Sequence, residues 1–457
     1  MASAAGTPAC ARTYYVSPSG SDEASGSAGH PWRTLQRAAS VAVAGDTVII
    51  AGGVYPVSTP IRPAHSGRAD APIVFHADVD HPAIIDASDD RGAGMTAGAF
   101  AEYGVFPIEG VSYLRIENLQ LRDAHSVGFM IRGEQTQHID LIGCKTSHSY
   151  GSGVGIWYAR FVRVIGCEIV GANEQEMRRA DQPLAREAPH EALSVAGAQH
   201  FEIAYNHVHH GAKEGIDVKE VSAHGIVHDN EVYDMPRQGL YTDAWFGRLE
   251  DVEFRDNFVH GCEWGMAISV EGERASMRDV RVHHNIFYGN RGSGILFGVW
   301  GSDGPRTDIL VYNNTIYRNG SAGHWAGAVG GIDVRSKNLA RVAIFNNIAF
   351  GNEAFDIATF DASPTGQQLA RQAIQITTNL VGKAVGAGSA TALRGGEFPP
   401  LFATSGQNAV VGDPLFANPT ADDFRLRSGS LAKGVGLKGR AADSSIDLGA
   451  IGSDRLR

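Results

Sequence analysis

Several features that define other protein classes are scarce or missing in this sequence of 457 residues. It has four cysteines but no Cys-x-x-Cys or other zinc-binding spacing, so no metal site is expected. Lysine is scarce, and no basic stripe of the kind that binds nucleic acid is present. No apolar run approaches the length of about 18 residues that spans a membrane. We therefore expect neither a nucleic-acid partner nor a membrane partner.

The charge of the chain narrows its possible ligands further. A net charge of −11 makes a strongly polyanionic ligand a poor fit, unless a bound cation or a local cluster of Arg and Lys intervenes. The start of the chain, MASAAGTPACARTYYV, lacks the apolar core of a signal peptide and is typical of a mature protein to which Met has been added. We expect a secreted or periplasmic protein whose signal peptide has been removed. A cytosolic protein with a short loose N-terminus is the alternative, and the sequence indicates no oligomeric state.

The sequence does contain a repeat. Asn or Cys returns in matching frames such as FEIAYNHVH and ILVYNNTIY, and the shortest spacings are 23 and 24 residues. Each frame alternates β-branched or aromatic residues with polar ones and is interrupted by Gly or Asn, which predicts short strands stacked as the coils of a β-solenoid. The ten repeated positions are Asn118, Cys144, Cys167, Asn206, Asn230, Asn257, Asn285, Asn314, Asn347 and Asn379. We expect the two cysteines to stack as buried apolar residues rather than as a disulfide.

The repeat divides the chain into three regions. Residues 12–60 form an N-terminal segment with an amphipathic helix, which we expect to cap the open end of the solenoid. Residues 61–380 carry the coils. Residues 381–457 lose the periodicity and gain Gly and Ser, which indicates a C-terminal wrap packed on the coils. The predicted fold class is all-β, a solenoid with a helical cap and an irregular C-terminal wrap.

A second motif, a Gly followed by an alternating strand, places reactive side chains on one outer face. It recurs as GIDVKE, GLYTDAW and GMAISVE in three consecutive coils. Side chains at even offsets from the Gly point outward, because side chains alternate across a strand. The residues brought together are Asp217, Lys219, Tyr241, Asp243 and Glu271, flanked by the flat rings of Trp245 and Trp300.

Simple strand geometry sets the expected spacing of these groups. Lys219 and Asp243 share an offset, so they should lie about 4.8 Å apart, and the Cα atoms of Asp243 and Glu271 roughly 8 Å apart. The two carboxylates would then lie about 5 to 9.5 Å apart, which covers both retaining and inverting glycoside hydrolysis. The alternative is structural: a Lys and an Asp on neighbouring strands are often a plain cross-strand ion pair.

Three further residues are expected at the edge of this face. His210 and Glu214 precede it by one turn and would border the site. Arg335, in the motif GIDVRSK, repeats the offset of Lys219 several coils later and would be a distal substrate contact or part of a structural pair with Asp333. His-x-His on a strand without a third placed ligand is weak support for a metal site.

Beyond these residues, the chain resembles a known group, the right-handed parallel β-helix proteins that act on polysaccharides. The resemblance is carried by YYVSPSGSD…PWRTLQRAASVAVAGDTVIIAGGVY, by SGRADAPIVFHA and by DPLFANPTADDFRL. Asp243 and Glu271 resemble the nucleophile and acid/base pair of the β-helix β-xylosidases. Glu214 and Lys219 resemble the Glu and catalytic Lys of the chondroitinase B/alginate lyase family, but Asp243 stands where that family has an Arg.

The resemblance and the residues together predict a glycoside hydrolase without a required cofactor. Asp243 would attack the anomeric carbon, held ionised by Lys219, and Glu271 would protonate the leaving oxygen, its pKa raised beside Trp300. Tyr241 and Asp217 would bind sugar hydroxyls. One alternative is a polysaccharide lyase with Lys219 as the base and a cation, Ca²⁺, held by Glu214 and Asp217. Another is a non-catalytic carbohydrate-binding solenoid.

Overall fold

The structure is a computed structural model that describes residues 11–92, 95–180, 187–321, 330–363, 365–385, 392–393, 400–437 and 447–450. Two compact units divide the chain, Met1–Pro189 and His190–Arg457. The regular structure of each unit consists mainly of short β-strands, which come in groups of three along the chain. In the described part of the chain, no helix combines the length and the apolar character that crossing a lipid bilayer requires.

The first unit contains three parallel sheets. Their orders are β1-β2-β4-β7-β10-β13, β3-β5-β8-β11-β14 and β6-β9-β12. The elements are β1 (Thr13–Val16), α1 (Leu35–Val41), β2 (Thr47–Ile50), β3 (Gly53–Pro56), β4 (Ile73–Ala77), β5 (Ala83–Asp86), α2 (Ala97–Ala101), β6 (Phe106–Glu109), β7 (Ser112–Glu117), β8 (Gln120–Ala124), β9 (Phe129–Arg132), β10 (Gln137–Ile142), β11 (Lys145–Ser149), β12 (Val154–Trp157), β13 (Arg160–Ile165), β14 (Glu168–Val170) and a 3₁₀ helix, Gln175–Met177.

The second unit continues the same plan with strands β15 (Leu193–Ala196), β16 (Gln199–Ala204), β17 (His207–His209), β18 (Ile216–Lys219), β19 (Ala223–His228), β20 (Glu231–Tyr233), β21 (Gln238–Asp243), β22 (Gly247–Arg255), β23 (Phe258–His260), β24 (Trp264–Ile268), β25 (Ala275–His283), β26 (Ile286–Tyr288), β27 (Ile295–Phe297), β28 (Arg306–Tyr312), β29 (Thr315–Tyr317), β30 (Ile332–Val334), β31 (Leu339–Phe345), β32 (Ile348–Phe350), β33 (Ile357–Thr359), β34 (Gln375–Thr377), β35 (Leu380–Val381), β36 (Ala392–Leu393), β37 (Leu401–Ala403), β38 (Val410–Val411), β39 (Phe416–Asn418) and β40 (Asp423–Leu426). A helix, α3 (Gln367–Arg371), and a 3₁₀ helix, Pro419–Ala421, complete it.

In the described part of the second unit, the strands form three long sheets that run alongside one another, and β39 and β40 form a separate antiparallel pair. Their orders are β16-β19-β22-β25-β28-β31-β34, β17-β20-β23-β26-β29-β32-β35-β38 and β15-β18-β21-β24-β27-β30-β33-β37-β36. Pairing is parallel within them except at β37, which pairs antiparallel with both β33 and β36. Each coil therefore contributes one strand to every sheet, and equivalent residues of successive coils become neighbours.

The repeated asparagines form a continuous ladder in the second unit. Each side-chain amide donates to the side-chain oxygen of the next Asn at 2.9–3.0 Å, from Asn206 through to Asn379. The residue before each Asn takes a left-handed conformation, as at Asp229 with a φ of 52°. This residue turns the chain from one sheet to the next, and the buried Asn satisfies backbone groups that the turn leaves unpaired. The predicted stacking is confirmed.

In the first unit the same position is filled by Asn118, Cys144 and Cys167. Both cysteines are buried, and neither forms a disulfide. Their thiols face backbone carbonyls of the preceding coil, those of Ile116 and Leu141, at 3.6 Å. The prediction that they stack without a disulfide is confirmed.

We expect the replacement of Asn285 by Ala to destabilise the protein by about 1–3 kcal/mol, the cost of leaving buried polar groups without partners. Its side-chain oxygen accepts from Asn257, and its amide donates to Asn314 and to the carbonyl of Phe254. Urea unfolding measures the change. The matched control is Asn338→Ala, because Asn338 is exposed and its amide makes one bond, to the carbonyl of Asp303. Equal effects of the two substitutions would contradict a structural role for the ladder.

A short helix lies near the start of the described chain, and an irregular segment lies near its end. Helix α1 begins after Thr34, whose hydroxyl accepts from the N–H of Arg37, and it buries Leu35 and Ala38. Near the other end, the aromatic rings of Phe416 and Phe424 pack against Tyr317, with ring centres 5.4 and 5.9 Å apart. The predicted all-β class with a helical cap and an irregular C-terminal segment is confirmed. The exact boundaries at residues 60 and 380 stay predictions.

Candidate functional site

Parallel strand pairing brings the predicted site residues together in the second unit. Strands β18 and β21 pair so that Lys219 lies opposite Asp243 and Asp217 opposite Tyr241. Glu271 follows β24, the next strand, and its N–H donates to the carbonyl of Ala244 at 2.9 Å. The prediction that these residues, though distant in sequence, are lateral neighbours is confirmed for this set.

The outward face is more enclosed than the sequence suggests. Asp217 is 1% exposed, Asp243 is 3% and Tyr241 is 7%. Tyr241 packs with Trp264, Ala267, Leu296 and Trp300 in a small apolar cluster separate from the other cores. Trp300 meets the rings of Tyr241 and Trp264 edge-on, with centres 6.0 and 5.7 Å apart. The carboxyls beside this cluster have therefore lost most of their contact with water.

The ammonium of Lys219 is bound by Glu191, a residue that is not among the predicted site residues. This ammonium donates to both oxygens of Glu191 at 2.7 Å and lies 3.6 Å from Asp217. Ser194 donates a further hydrogen bond to Glu191 at 2.8 Å. Burial alone would raise the pKa of Glu191, but Lys219 lowers it to about 2. Burial would lower the pKa of Lys219, yet Glu191 and the neighbouring aspartates raise it well above its usual value.

The expectation that Lys219 keeps Asp243 ionised is wrong. Burial raises the pKa of Asp243 well above its usual value, and Glu271 raises it further, although Lys219 acts in the opposite direction. Burial outweighs the effect of Lys219, whose shortest contacts are with Glu191. Asp217 behaves in the same way, because burial and the charge of Asp243 raise its pKa well above the usual range.

Glu271 has a different environment from that of Asp243. The hydroxyl of Tyr241 donates a hydrogen bond to its carboxylate. Burial raises the pKa of Glu271, as predicted, while the bond from Tyr241 lowers it. By contrast, Asp243 Oδ1 is buried with no hydrogen-bond partner. Glu271 is therefore the easier of the two carboxyls to ionise.

The lyase alternative assigns a calcium ion to Glu214 and Asp217, and each of these carboxylates already faces a basic side chain. One oxygen of Glu214 already pairs with Arg237 at 2.8 Å, and one oxygen of Asp217 faces Lys219. Among the described residues, no group of three or more His, Cys, Asp or Glu side chains is arranged to hold a metal ion.

Two of the remaining predicted residues border the face, and two lie elsewhere. Trp245 lies two residues after Asp243 and is 54% exposed, and Trp300 packs on Tyr241. His210 is not at the site. Its left-handed backbone, with a φ of 53°, places its ring beside His209 and Asp234 near β17 and β20, which belong to another sheet. Arg335 forms a buried pair with Asp333 at 2.9 Å, which is the structural alternative for that residue.

Sequence reasoning missed Glu191 and Arg306. A signal for Glu191 existed: Leu193 pairs with Ile216, so Glu191 occupies the same register position as Glu214. Arg306 is fully buried and donates to Asp303 at 2.7 Å and to the carbonyl of Gly298 at 2.7 Å. It therefore anchors the loop that carries Trp300.

Replacing Asp217 with Asn is expected to stabilise the protein at pH 7. The pKa of Asp217 in the folded protein is raised above the ordinary value of 3.8. As the pH rises above 3.8, the unfolded chain therefore loses this proton first, and the free energy of unfolding decreases. Below it, both states keep the proton and the benefit should disappear. Thermal unfolding at pH 7 and near pH 3 tests this.

Asp308 provides a control of opposite sign. Arg341 lowers the pKa of Asp308, so Asp308→Asn should lose stability at pH 7 and not gain it. A fall in the unfolding midpoint for Asp217→Asn at pH 7 would contradict the burial of an unstabilised carboxyl at this position.

Similarity to known proteins identifies the class of fold. A family model described as a right handed beta helix region matches residues 104–278, and another, Pel9A-like, right handed beta helix region, matches residues 14–181. With the three-strand coils of both units, these matches define a right-handed parallel β-helix. The second match ends before the first residue of the candidate site, so it concerns the architecture and not the site.

Individual relatives match the chain at low identity or over only part of its length. The chain is 31% identical to pectate lyase PEL9 of Emericella nidulans over 140 residues, 30% of this chain and 34% of the relative. It is 25% identical to the uncharacterized protein YwoF of Bacillus subtilis over 315 residues, 62% of this chain and 64% of the relative. The chain thus spans about a third of the first relative's length and under two thirds of the second's.

Solved structures share the fold at low identity. Pectate lyase Pel9A superimposes with a TM-score of 0.53 at 13% identity, over 96% of both chains. The A-module of the mannuronan C-5 epimerase AlgE6 of Azotobacter vinelandii gives 0.51 at 10% identity, over 81% of this chain and 91% of that one. The expected resemblance to right-handed parallel β-helix carbohydrate-active enzymes is confirmed.

Proposed function

We propose that this protein cleaves glycosidic bonds of a polysaccharide as a hydrolase, with Asp243 and Glu271 as the reacting carboxyls. The observation that carries the proposal is the asymmetry between them. Tyr241 donates a hydrogen bond to Glu271, whereas Asp243 keeps a buried oxygen without a donor. Two carboxyls whose environments separate their pKa values are the arrangement that acid/base cleavage of a glycosidic bond requires.

This asymmetry assigns roles that are the reverse of those expected from the sequence. Asp243 holds its proton more strongly, so it acts as the general acid that protonates the leaving glycosidic oxygen. Glu271 is the ionised partner, which attacks the anomeric carbon or takes the proton from an attacking water. Tyr241 positions Glu271 and favours its charged form. Trp245, exposed beside Asp243, offers a flat apolar surface to a sugar ring.

Lys219 does not serve as a base in this proposal. Its ammonium is fixed by two bonds to Glu191, and its pKa is raised, so it keeps its proton at neutral pH. Its role is to stabilise the negative charge of the buried Glu191 carboxylate.

A polymeric substrate agrees with the expectation of a secreted or periplasmic location.

The polysaccharide lyase is the second candidate. What favours it is the 31% identity to pectate lyase PEL9 over 140 residues. In a lyase, a base removes the C5 proton next to a uronic-acid carboxyl, the C4–O glycosidic bond breaks with its electron pair leaving on the oxygen of the departing sugar, and a C=C bond forms between C4 and C5. The structural objection is that the base suggested by the sequence, Lys219, is already an ion-paired cation.

Product analysis separates the candidates. Purified protein is incubated with polysaccharides, and each digest is assayed for new reducing ends and for ultraviolet absorbance by a new C=C bond. Hydrolysis produces reducing ends without absorbance, whereas elimination produces both. Absorbance that rises together with the reducing ends would overturn the proposal. Binding without any reducing ends would instead support the non-catalytic solenoid.

A further inference from the structure

In the described part of the chain, the carboxyls of the candidate site outnumber the Lys and Arg side chains that interact with them. Six carboxyls lie on or beside the face, at Glu191, Glu214, Asp217, Glu220, Asp243 and Glu271. Three of them have a buried oxygen with no hydrogen-bond donor: Glu214 Oε2, Asp217 Oδ1 and Asp243 Oδ1. Basic side chains offset the negative potential of these groups only in part: Lys213 lies 3.9 Å from Glu214 Oε2, and Lys219 lies 3.6 Å from the other oxygen of Asp217.

Basic side chains that interact with these carboxyls are already engaged by the protein. Lys219 is bound to Glu191, and Arg237 to Glu214 at 2.8 Å. Lys213 lies 3.9 Å from Glu214. Arg306, fully buried, is bound to Asp303. His190 lies near enough to Glu191 to lower its pKa. A carboxylate brought by a ligand would have to compete with an internal carboxylate for each of the Lys and Arg side chains.

The surface next to the acidic groups suits an uncharged ring. Trp245 is 54% exposed and its neighbour Phe246 is 47% exposed. Their backbone is fixed, because the N–H of Trp245 donates to Glu220 at 3.0 Å and Gly272 packs so closely on the Trp245 carbonyl that a side chain would not fit. Exposed aromatic rings on a fixed backbone can stack on the apolar face of a sugar.

We infer that the glycan bound at this face is uncharged, and that it is not a uronic-acid polymer. The inference rests on the proposed function, because it concerns the substrate of the same carboxyls. Its physical basis is that hydroxyl groups of a neutral sugar both donate to and accept from acidic side chains. A ligand carboxylate only accepts hydrogen bonds, is repelled by the carboxyls that are ionised, and has to compete with Glu191 and Glu214 for the basic side chains.

Binding of the Glu271→Gln variant tests the inference without cleavage of the ligand. The variant is run by affinity electrophoresis in gels that contain linear galactan, arabinan, β-glucan, polygalacturonate or alginate. We expect retardation by at least one neutral polymer, with an affinity about tenfold or more above that for either uronate polymer. Raising the salt from about 10 mM to about 500 mM should leave neutral binding unchanged and relieve part of the repulsion of the uronates.

Two conditions make the test specific. Adding Ca²⁺ supplies the bridging cation that could reverse the repulsion, and EDTA removes it. Arg274 is exposed in the loop that follows Glu271, so Arg274→Ala in the same background tests whether this guanidinium recruits a uronate. We expect neither change to alter the preference for neutral polymers.

The outcomes separate this inference from the proposed function. Stronger binding of a uronate polymer, with or without Ca²⁺, overturns the inference. If the wild-type protein then releases reducing ends from that polymer without ultraviolet absorbance, the hydrolase proposal survives. If absorbance appears, both fail. Retardation by none of the five polymers overturns the inference for the glycans tested, and the digests of the wild-type protein still decide the proposed function.

Discussion

Replacing Asp243 with Asn is expected to reduce glycosidic bond cleavage by about 10²- to 10⁴-fold, the usual contribution of a positioned general acid. Asn cannot donate the proton that the leaving oxygen needs. Glu271→Gln should cost at least as much, because an amide neither attacks carbon nor accepts a proton from water. Initial rates of reducing-end release, measured with the polysaccharide that the wild-type protein cleaves fastest, give both effects.

Stability measurements distinguish lost chemistry from lost folding. The pKa of Asp243 is raised above its ordinary value of 3.8, so its ionisation favours the unfolded chain at neutral pH. Asp243→Asn removes this penalty, and the thermal midpoint at pH 7 should not fall. Glu250→Gln is the matched control, since Glu250 pairs with Arg278 on another sheet and should keep full activity. Full activity of both the Asp243 and the Glu271 variants would show that the site is wrong.

Replacing Glu191 with Gln is expected to have the largest effect on stability. The side chains of Glu191 and Lys219 are only 9% and 14% exposed, and their contacts are 2.7 Å. Removing one partner of a buried ion pair costs about 3–5 kcal/mol, because the other charge stays buried without compensation. Urea unfolding measures the loss. Ser194→Ala, which removes only the hydroxyl bonded to Glu191, should cost about 1 kcal/mol.

A double substitution tests the cause of that loss. Adding Lys219→Met to Glu191→Gln removes the uncompensated ammonium, so the pair should recover most of the lost stability. Glu191→Gln alone should also alter catalysis. Without the Glu191 carboxylate, the ammonium of Lys219 interacts more strongly with its register neighbour Asp243 and lowers the pKa of Asp243. The alkaline limb of the pH–rate profile, which reports the deprotonation of this general acid, should then move to lower pH. An unmoved limb would contradict the link between these residues.

The sequence predicted the repeating part of the molecule well, for a physical reason. Strand residues alternate with period two between the core and the outer face, and a buried Asn recurs once in each coil of the second unit. Together these patterns fix the register of the strands, so that Lys219 and Asp243 are neighbours. The same logic placed Cys144 and Cys167 in adjacent coils.

What the sequence did not predict depends on irregular segments. Glu191 follows a long insertion that hides its register. Arg306 acts through a loop whose path no periodicity specifies, and His210 is turned away by its left-handed backbone. The burial of Asp243, and therefore its raised pKa, depends on such irregular segments and on side chains from neighbouring coils. The reactive groups could be predicted from the strands, but their protonation could not.

The ladder of the second unit has a consequence for how such a protein changes over evolutionary time. Successive ladder asparagines are separated by 24 to 33 residues, yet their amides stay 2.9–3.0 Å apart. Extra residues are therefore accommodated between rungs without moving the rungs themselves. Loops that wall the acidic face, including the one that carries Trp300, can lengthen or be exchanged while the strands keep the carboxyls in place. The specificity for a ligand can thus change while the arrangement of the strands stays the same.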